Sequence, residues 1–123
     1  MKLITLTLTF LSLSLFISSC SKNNAGKGGN AQITVKVIDG NANVAGAEVK
    51  VMYNARTYPG ATASYSETVT ADNTGDAVFG NLRRGDYYFY SADTLREGGA
   101  FMNIASKFGE THVVIDFNEA DPF

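Results

Sequence analysis

The sequence predicts an all-β protein, a single small antiparallel β-sandwich of about seven strands. Short segments in which apolar and polar residues alternate follow one another between turns rich in Gly, Asn and Asp, a pattern typical of sandwiches and barrels. No segment has the long apolar periodicity of a helix, and there is no internal repeat. The stretch from Ala31 to Phe123 has the length of one domain.

The first two strands are predicted from strict alternation. In residues 33–37 the odd-numbered positions are Ile or Val and face the core, whereas Thr34 and Lys36 face water. Residues 39–41, Asp-Gly-Asn, form a turn. Residues 47–51 then repeat the pattern, with the apolar residues inward and the two charged residues outward.

The middle of the chain is predicted to contain a long loop over Asn54–Ser64 and a third strand over Tyr65–Ala71. Asp72–Gly75 supplies residues that tolerate the left-handed backbone of a hairpin. The strand that follows places Ala77 and Phe79 inward.

The last third begins with a turn over residues 81–86 and the strongly β-forming run Tyr87–Tyr90. Thr94–Gly109 is predicted as loop with at most one helical turn or short strand. Thr111–Asn118 closes the domain, with the apolar residues at 113, 115 and 117 on one face.

The start of the chain indicates export. Lys2 precedes the uncharged run Leu3–Ile17, which has the features of a signal peptide and is shorter than the roughly 20 apolar residues of a membrane-spanning helix. Ile17-Ser18-Ser19-Cys20 resembles the lipobox of bacterial lipoproteins, which implies cleavage before Cys20 and a lipid on its thiol. Cys20 is the only cysteine in the chain, so an internal disulfide is excluded.

The chain therefore divides into a signal peptide (1–19), a lipidated Cys20 with a flexible tether (20–30) and a β-sandwich domain (31–123). The tether contains small and polar residues and nothing large and apolar. Two or more acyl chains hold a protein stably at a bilayer, so a membrane is the first predicted partner. By resemblance to the sorting rule for such lipoproteins, Ser21 favours the outer membrane, and its periplasmic or cell-surface side stays open.

Two segments, ITVKVIDGNANVAGAEVKV and TADNTGDAVFGNLRRGDYYFYSA, resemble the carboxypeptidase regulatory-like domains, which have a prealbumin-like, Ig-like topology. The resemblance covers most of Ala31–Ala92. It implies an accessory, stalk or binding module rather than a particular ligand. Leu82, Gly85 and Tyr87 have the spacing of a tyrosine corner, in which a phenol at a strand start bonds back to the preceding turn.

Tyr88 and Tyr90 form the candidate binding surface, because alternation points them away from Tyr87 and Phe89. An exposed pair of tyrosines could stack on sugar rings or anchor a protein partner. The alternative is that another segment covers them, for example residues 100–102, or that they pack on cross-strand neighbours.

The sequence gives little evidence for a catalytic or metal site, so no catalytic residue, metal ligand or cofactor is predicted. The single histidine, His112, lies on the solvent side of the last strand, and Asp72, Asn73 and Asp76 are explained as turn formers. The signal removes one of ten basic side chains, which leaves nine against twelve acidic ones and a net charge near −3. Nucleic acid is not a predicted partner, because phosphate binding requires a clustered basic face.

The function predicted from the sequence is that of a non-enzymatic, membrane-anchored lipoprotein, an accessory protein-binding or structural module of the cell envelope. The alternative is a carbohydrate-binding module that uses exposed Tyr88 and Tyr90.

Overall fold

A computed structural model describes residues 24–105 and 108–119, and the signal peptide and Cys20 predicted from the sequence lie outside these ranges. Within them two β-sheets pack face to face around one apolar core, which confirms the predicted all-β sandwich. The described strands are β1 (Lys27–Asp39), β2 (Ala42–Asn43), β3 (Glu48–Tyr53), β4 (Glu67–Thr70), β5 (Asp76–Leu82), β6 (Gly85–Ala92), β7 (Glu97–Ile104) and β8 (Phe108–Asp116). Among the described residues there is no helix of the length and apolarity needed to cross a membrane.

β1 is the centre of the first sheet. It pairs antiparallel with β2 and β5, and parallel with β8. The second sheet has the order β4-β3-β6-β7, with antiparallel pairing throughout. The parallel register runs from Asn30 opposite Phe108 to Ile38 opposite Asp116, so β1 and β8 both start at the same end of the sandwich.

The core contains the residues that alternation predicts. The predicted inward side chains of β1, β3, β5 and β8 are all less than 10% exposed, and they are Ile33, Val35, Val37, Val49, Val51, Ala77, Phe79, Val113, Ile115 and Phe117. Phe79 of the first sheet meets Phe89 of the second with ring centroids 5.2 Å apart. The prediction that Thr34 faces water is wrong, because this residue lies on the central strand between Val78 and His112 and is 8% exposed.

The largest difference from the prediction is β7, which occupies part of the segment assigned to a loop. It is an eight-residue strand paired with β6 along its whole length. Its two glycines weaken the strand signal in the sequence, but the sandwich requires at least one of them. A Cβ placed on Gly98 would lie 2.8 Å from Ile115 Cγ2, so a glycine at this position lets β7 approach the core side of β8.

The predicted tether is also too long, because β1 begins at Lys27 and Ala25 is 4% exposed. The glycines that suggested flexibility serve close packing. A Cβ on Gly29 would overlap the carbonyl group of Leu82, and the β1–β5 register shifts between Lys27 and Ala31 to accommodate this approach. The predicted turn at 81–86 is correspondingly shorter, because β5 continues to Leu82 and β6 starts at Gly85.

Tyr87 has the geometry of a tyrosine corner. Its fully buried ring carries a hydroxyl that donates to the Arg83 carbonyl at 2.6 Å and accepts from the Gly26 amide at 2.9 Å. The Arg83 amide in turn donates to the Gly26 carbonyl at 2.8 Å. One phenol thus joins the β5–β6 turn to the first residues of the domain. Leu82 and Gly85, the other two residues of the motif, are buried on either side of this turn.

Replacement of Tyr87 by Phe is expected to lower the free energy of unfolding by about 1–3 kcal/mol, because it removes a buried hydroxyl that satisfies two backbone groups. Urea denaturation of the lipid-free chain from Ser21 onward measures this change. Tyr53→Phe is the matched control, since its hydroxyl makes a longer, partly buried bond to Glu67 (3.3 Å), and it should cost about 0.5 kcal/mol. Equal losses in the two variants would contradict the assigned role of the corner.

Candidate functional site

The outer face of the second sheet carries a cluster of four tyrosines, Tyr58, Tyr65, Tyr88 and Tyr90, called the tyrosine cluster below. Tyr88 and Tyr90 lie on β6 and point away from the core, as alternation requires. Tyr58 and Tyr65 lie on the loop between β3 and β4, which folds back over the sheet. Tyr58 is 6.3 Å from Tyr88 and 5.1 Å from Tyr90 between ring centroids, and Tyr65 stacks on Tyr90 at 5.8 Å.

The predicted exposure of Tyr88 and Tyr90 is therefore wrong: their side chains are 5% and 4% exposed. The covering segment is the loop rather than residues 100–102. The loop covers these rings because the burial of each large aromatic side chain removes substantial apolar area from water. The signal available in the sequence was the pair of tyrosines on either side of Pro59-Gly60, within a loop whose other residues, apart from Arg56, are small.

The hydroxyl groups of Tyr65 and Tyr90 are bonded within the fold. Tyr90 donates to Glu97 Oε2 at 2.8 Å, and Tyr65 donates to the Gly60 carbonyl at 3.0 Å. Burial raises the pKa of Tyr65 to about 12. Burial is also the main cause of the raised pKa of Tyr90, followed by its hydrogen bonds with Tyr58 and Glu97. These phenols are neutral donors under ordinary conditions and cannot serve as phenolates.

Gly99 on β7 makes room for Tyr88. The two strands place Gly99 opposite Tyr90 and Phe101 opposite Tyr88, and a Cβ on Gly99 would overlap the Tyr88 hydroxyl. The Tyr88 hydroxyl occupies the position that a side chain on Gly99 would take, and a groove lies beside it, between the loop and β7.

The groove has a volume of about 300 Å³, and its walls are Arg56, Thr57, Tyr58, Tyr88, Gly99, Ala100 and Phe101. This volume is at the lower end of the range for small-molecule sites. Phe101 forms one rim and is 40% exposed. The groove thus combines three aromatic residues with small and polar ones, and it could hold one ring or one side chain of a partner.

The Arg56 end of the groove is polar. Arg56 Nε lies 2.7 Å from Asp86 Oδ2, and Asn103 donates to Asp86 Oδ1 at 2.7 Å. These two hydrogen bonds lower the pKa of Asp86. The Arg56 guanidinium is therefore already matched by a carboxylate, which makes this end a poor site for an anionic ligand.

The other candidate polar groups are engaged in the fold. Asp72 accepts from the amides of Thr74 and Asp76 and from the Thr74 hydroxyl, and these bonds lower its pKa. His112 is 71% exposed, with its Nε2 3.7 Å from Glu110. Residues 24–105 and 108–119 contain no group of three or more His, Cys, Asp or Glu that could hold a metal ion.

Comparison with known proteins finds similar folds but does not assign the chain to a family. No protein-family model matches the sequence, and no curated protein matches it significantly. The resemblance to carboxypeptidase regulatory-like domains therefore remains an interpretation of the sequence motifs.

Solved structures do resemble the chain. The Bacillus anthracis TIE protein has a TM-score of 0.54 at 14% identity over 71% of this chain and 17% of its own. The major pilin subunit BcpA of Bacillus cereus has a TM-score of 0.48 at 16% identity, covering 72% and 30% of the two chains. Catechol 1,2-dioxygenase from Pseudomonas arvilla C-1 has 0.45 at 14%, covering 78% and 55%. The chain spans only a fraction of each of these proteins, and the likeness to TIE shows a shared fold alone.

Because the pKa of Tyr65 is raised in the folded state, the free energy of unfolding is expected to decrease at alkaline pH. Tyr65 has a pKa of about 12 in the folded state and about 10 in an unfolded chain, so the folded state keeps a proton that the unfolded state loses. Stability from this group is complete below pH 10 and is lost between about pH 10 and 12. The urea midpoint should fall over this range, and Tyr65→Phe should reduce the fall. A midpoint with the same pH dependence in both proteins would contradict the burial of Tyr65.

Proposed function

We propose that this protein is a non-enzymatic lipoprotein of the cell envelope, which holds a protein partner or a larger assembly close to the membrane. The observation that carries the proposal is the short distance between the predicted lipid and the fold. Gly26, six residues after Cys20, is already bonded to Tyr87 in the buried corner. A domain held this closely is suited to a structural or docking role beside the bilayer.

The surroundings of the groove support binding rather than catalysis. Three of its seven lining residues are aromatic, and its arginine is paired with Asp86 at 2.7 Å. The single histidine lies on the outer face of the other sheet. An exposed aromatic rim around a shallow groove is the kind of surface on which interface anchors are found. We place the partner contact at this groove, with Phe101 as its main exposed residue.

A carbohydrate ligand is the second candidate. Tyr88 and Tyr90 are covered and cannot form the sugar platform expected from the sequence. The groove instead offers Tyr58 and Phe101 as its aromatic walls, and one sugar ring would fit a volume of about 300 Å³.

The anchor is tested by Cys20→Ala. Without the thiol there is no lipid acceptor, so we expect the protein to leave the membrane fraction while its domain stays folded. Fractionation of cells and incorporation of labelled fatty acid measure the two effects. Ser21→Ala is the matched control, because it keeps the lipobox and should remain lipidated. A Cys20→Ala protein that stays with the membrane would refute the anchor.

The partner is tested by a photo-cross-linking amino acid in place of Phe101, in the full-length protein in intact cells. The proposal predicts an adduct of defined mass that contains a second protein. The same amino acid at Val78, which is 47% exposed on the other sheet, is the control and should not give this adduct. An adduct that is lost on glycosidase treatment would favour the carbohydrate candidate. Identical products from both positions would count against a site at the groove.

A further inference from the structure

We propose that the end of the sandwich where the chain joins the tether rests on anionic phospholipid headgroups, through Arg83 and Arg84. The membrane is the one that holds the lipid of Cys20, so this inference rests on the proposed anchor. The tether end consists of the start of β1, the β5–β6 turn, the residues around the end of β3, the start of β4 and the end of β7. The start of β8 also lies here, because β8 runs parallel to β1. The residues of the tether end are therefore 24–30, 53–56, 66–67, 82–86, 103–105 and 108–110.

The small number of residues between Cys20 and Gly26 limits how far the tether end can lie from the bilayer. Gly26 is six residues after Cys20, and an extended chain spans at most about 3.6 Å per residue, so the separation is at most about 22 Å. Gly26 is held by Tyr87 and so stays at this end of the domain.

The charges at the tether end leave two arginines unpaired, against one carboxylate. Lys27 Nζ lies 3.1 Å from Glu67 Oε2, and Arg56 Nε lies 2.7 Å from Asp86 Oδ2. The third acidic residue of this end, Glu110 on β8, lies 3.7 Å from His112 and has no lysine or arginine partner among the described residues.

Arg83 and Arg84 are exposed and form no ion pair among the described residues. Each guanidinium offers five N–H donors in a geometry that suits a phosphate. Anionic headgroups would supply the counter-charge that the fold does not.

The turn that carries the two arginines is rigid. The Arg83 amide donates to the Gly26 carbonyl at 2.8 Å, and its carbonyl accepts from Tyr87 at 2.6 Å. Leu82 and Gly85 are buried on either side. Little backbone entropy is therefore lost when the turn meets a surface.

The opposite end of the sandwich would be repelled by the same surface. Three basic residues, Lys36, Lys50 and Arg96, lie there or beside it, and each pairs with a neighbouring acid. The acidic residues of this end outnumber them and are Asp39, Glu48, Asp72, Asp76, Asp93, Glu97, Asp116 and Glu119. Although the net charge of the chain is negative, the charge is distributed unevenly along the strands. The unpaired arginines lie at the tether end and most acidic residues lie at the opposite end. This separation favours one orientation, with Arg83 and Arg84 toward the bilayer.

The experiment uses the lipidated full chain in vesicles of phosphatidylcholine alone or mixed with phosphatidylglycerol. A dye on Ala105→Cys, at the tether end, reports contact with a headgroup quencher, and a dye on Asn73→Cys reports on the far end. We expect quenching at 105 and not at 73, only with phosphatidylglycerol, and weakened by salt. Arg83→Gln with Arg84→Gln should reduce the ratio of docked to undocked molecules about 25-fold, at about fivefold for each charge.

Lys36→Gln with Lys50→Gln is the control that removes the same charge elsewhere, and it should leave the quenching at 105 unchanged. Equal quenching in both vesicle types, or no effect of the arginine substitutions, overturns the docking. Flotation of the same samples separates this failure from failure of the anchor. Protein that floats with vesicles but is not quenched refutes only the docking, whereas protein that does not float refutes the anchor and the docking together.

Discussion

The hydroxyl group of Tyr87 is the constraint on which this end of the molecule depends. A phenol has one proton to donate and lone pairs to accept, and Tyr87 uses both, toward the Arg83 carbonyl and the Gly26 amide. Its ring is fully buried, so these bonds fix two surface segments relative to the core. These bonds define where the folded domain begins. The residue that makes them, Tyr87, lies 61 positions after Gly26 in the sequence.

The same strand explains the aromatic groove. β6 is buried on both faces: Tyr87 and Phe89 face the core, and Tyr88 and Tyr90 lie under the β3–β4 loop. The loop behaves as a partial third layer whose two tyrosines replace water over the sheet. The groove is the part of the sheet that this layer leaves open, between the loop and residues 99–101 of β7. The groove thus arises from an incomplete cover rather than from an exposed strand.

The sequence predicts those features that alternation or local chemistry determines. The inward faces of β1, β3, β5 and β8 follow from a period of two over a buried face, and the tyrosine corner follows from Leu82, Gly85 and Tyr87. Features that depend on contacts between distant segments were missed. β7 and the first residues of β1 are rich in glycine, which locally indicates a loop. Gly29 and Gly98 are glycines because backbone or side chains from other strands approach them closely, and no local pattern contains that information.

Under the proposed anchoring at Cys20, the faces of the domain differ in what they can reach. The strands run between the tether end and the acidic end, where Arg96 joins Asp39 and Asp93 and stacks on Phe117 at 5.1 Å. In the proposed orientation, with the tether end toward the bilayer, the strands stand perpendicular to the membrane surface and the outer face of the second sheet points sideways. The groove beside Phe101 then opens parallel to the membrane. Such a groove is accessible to a neighbour held at the same membrane, whereas a ligand that approaches from above first meets the acidic end. The geometry therefore favours a partner from the envelope itself.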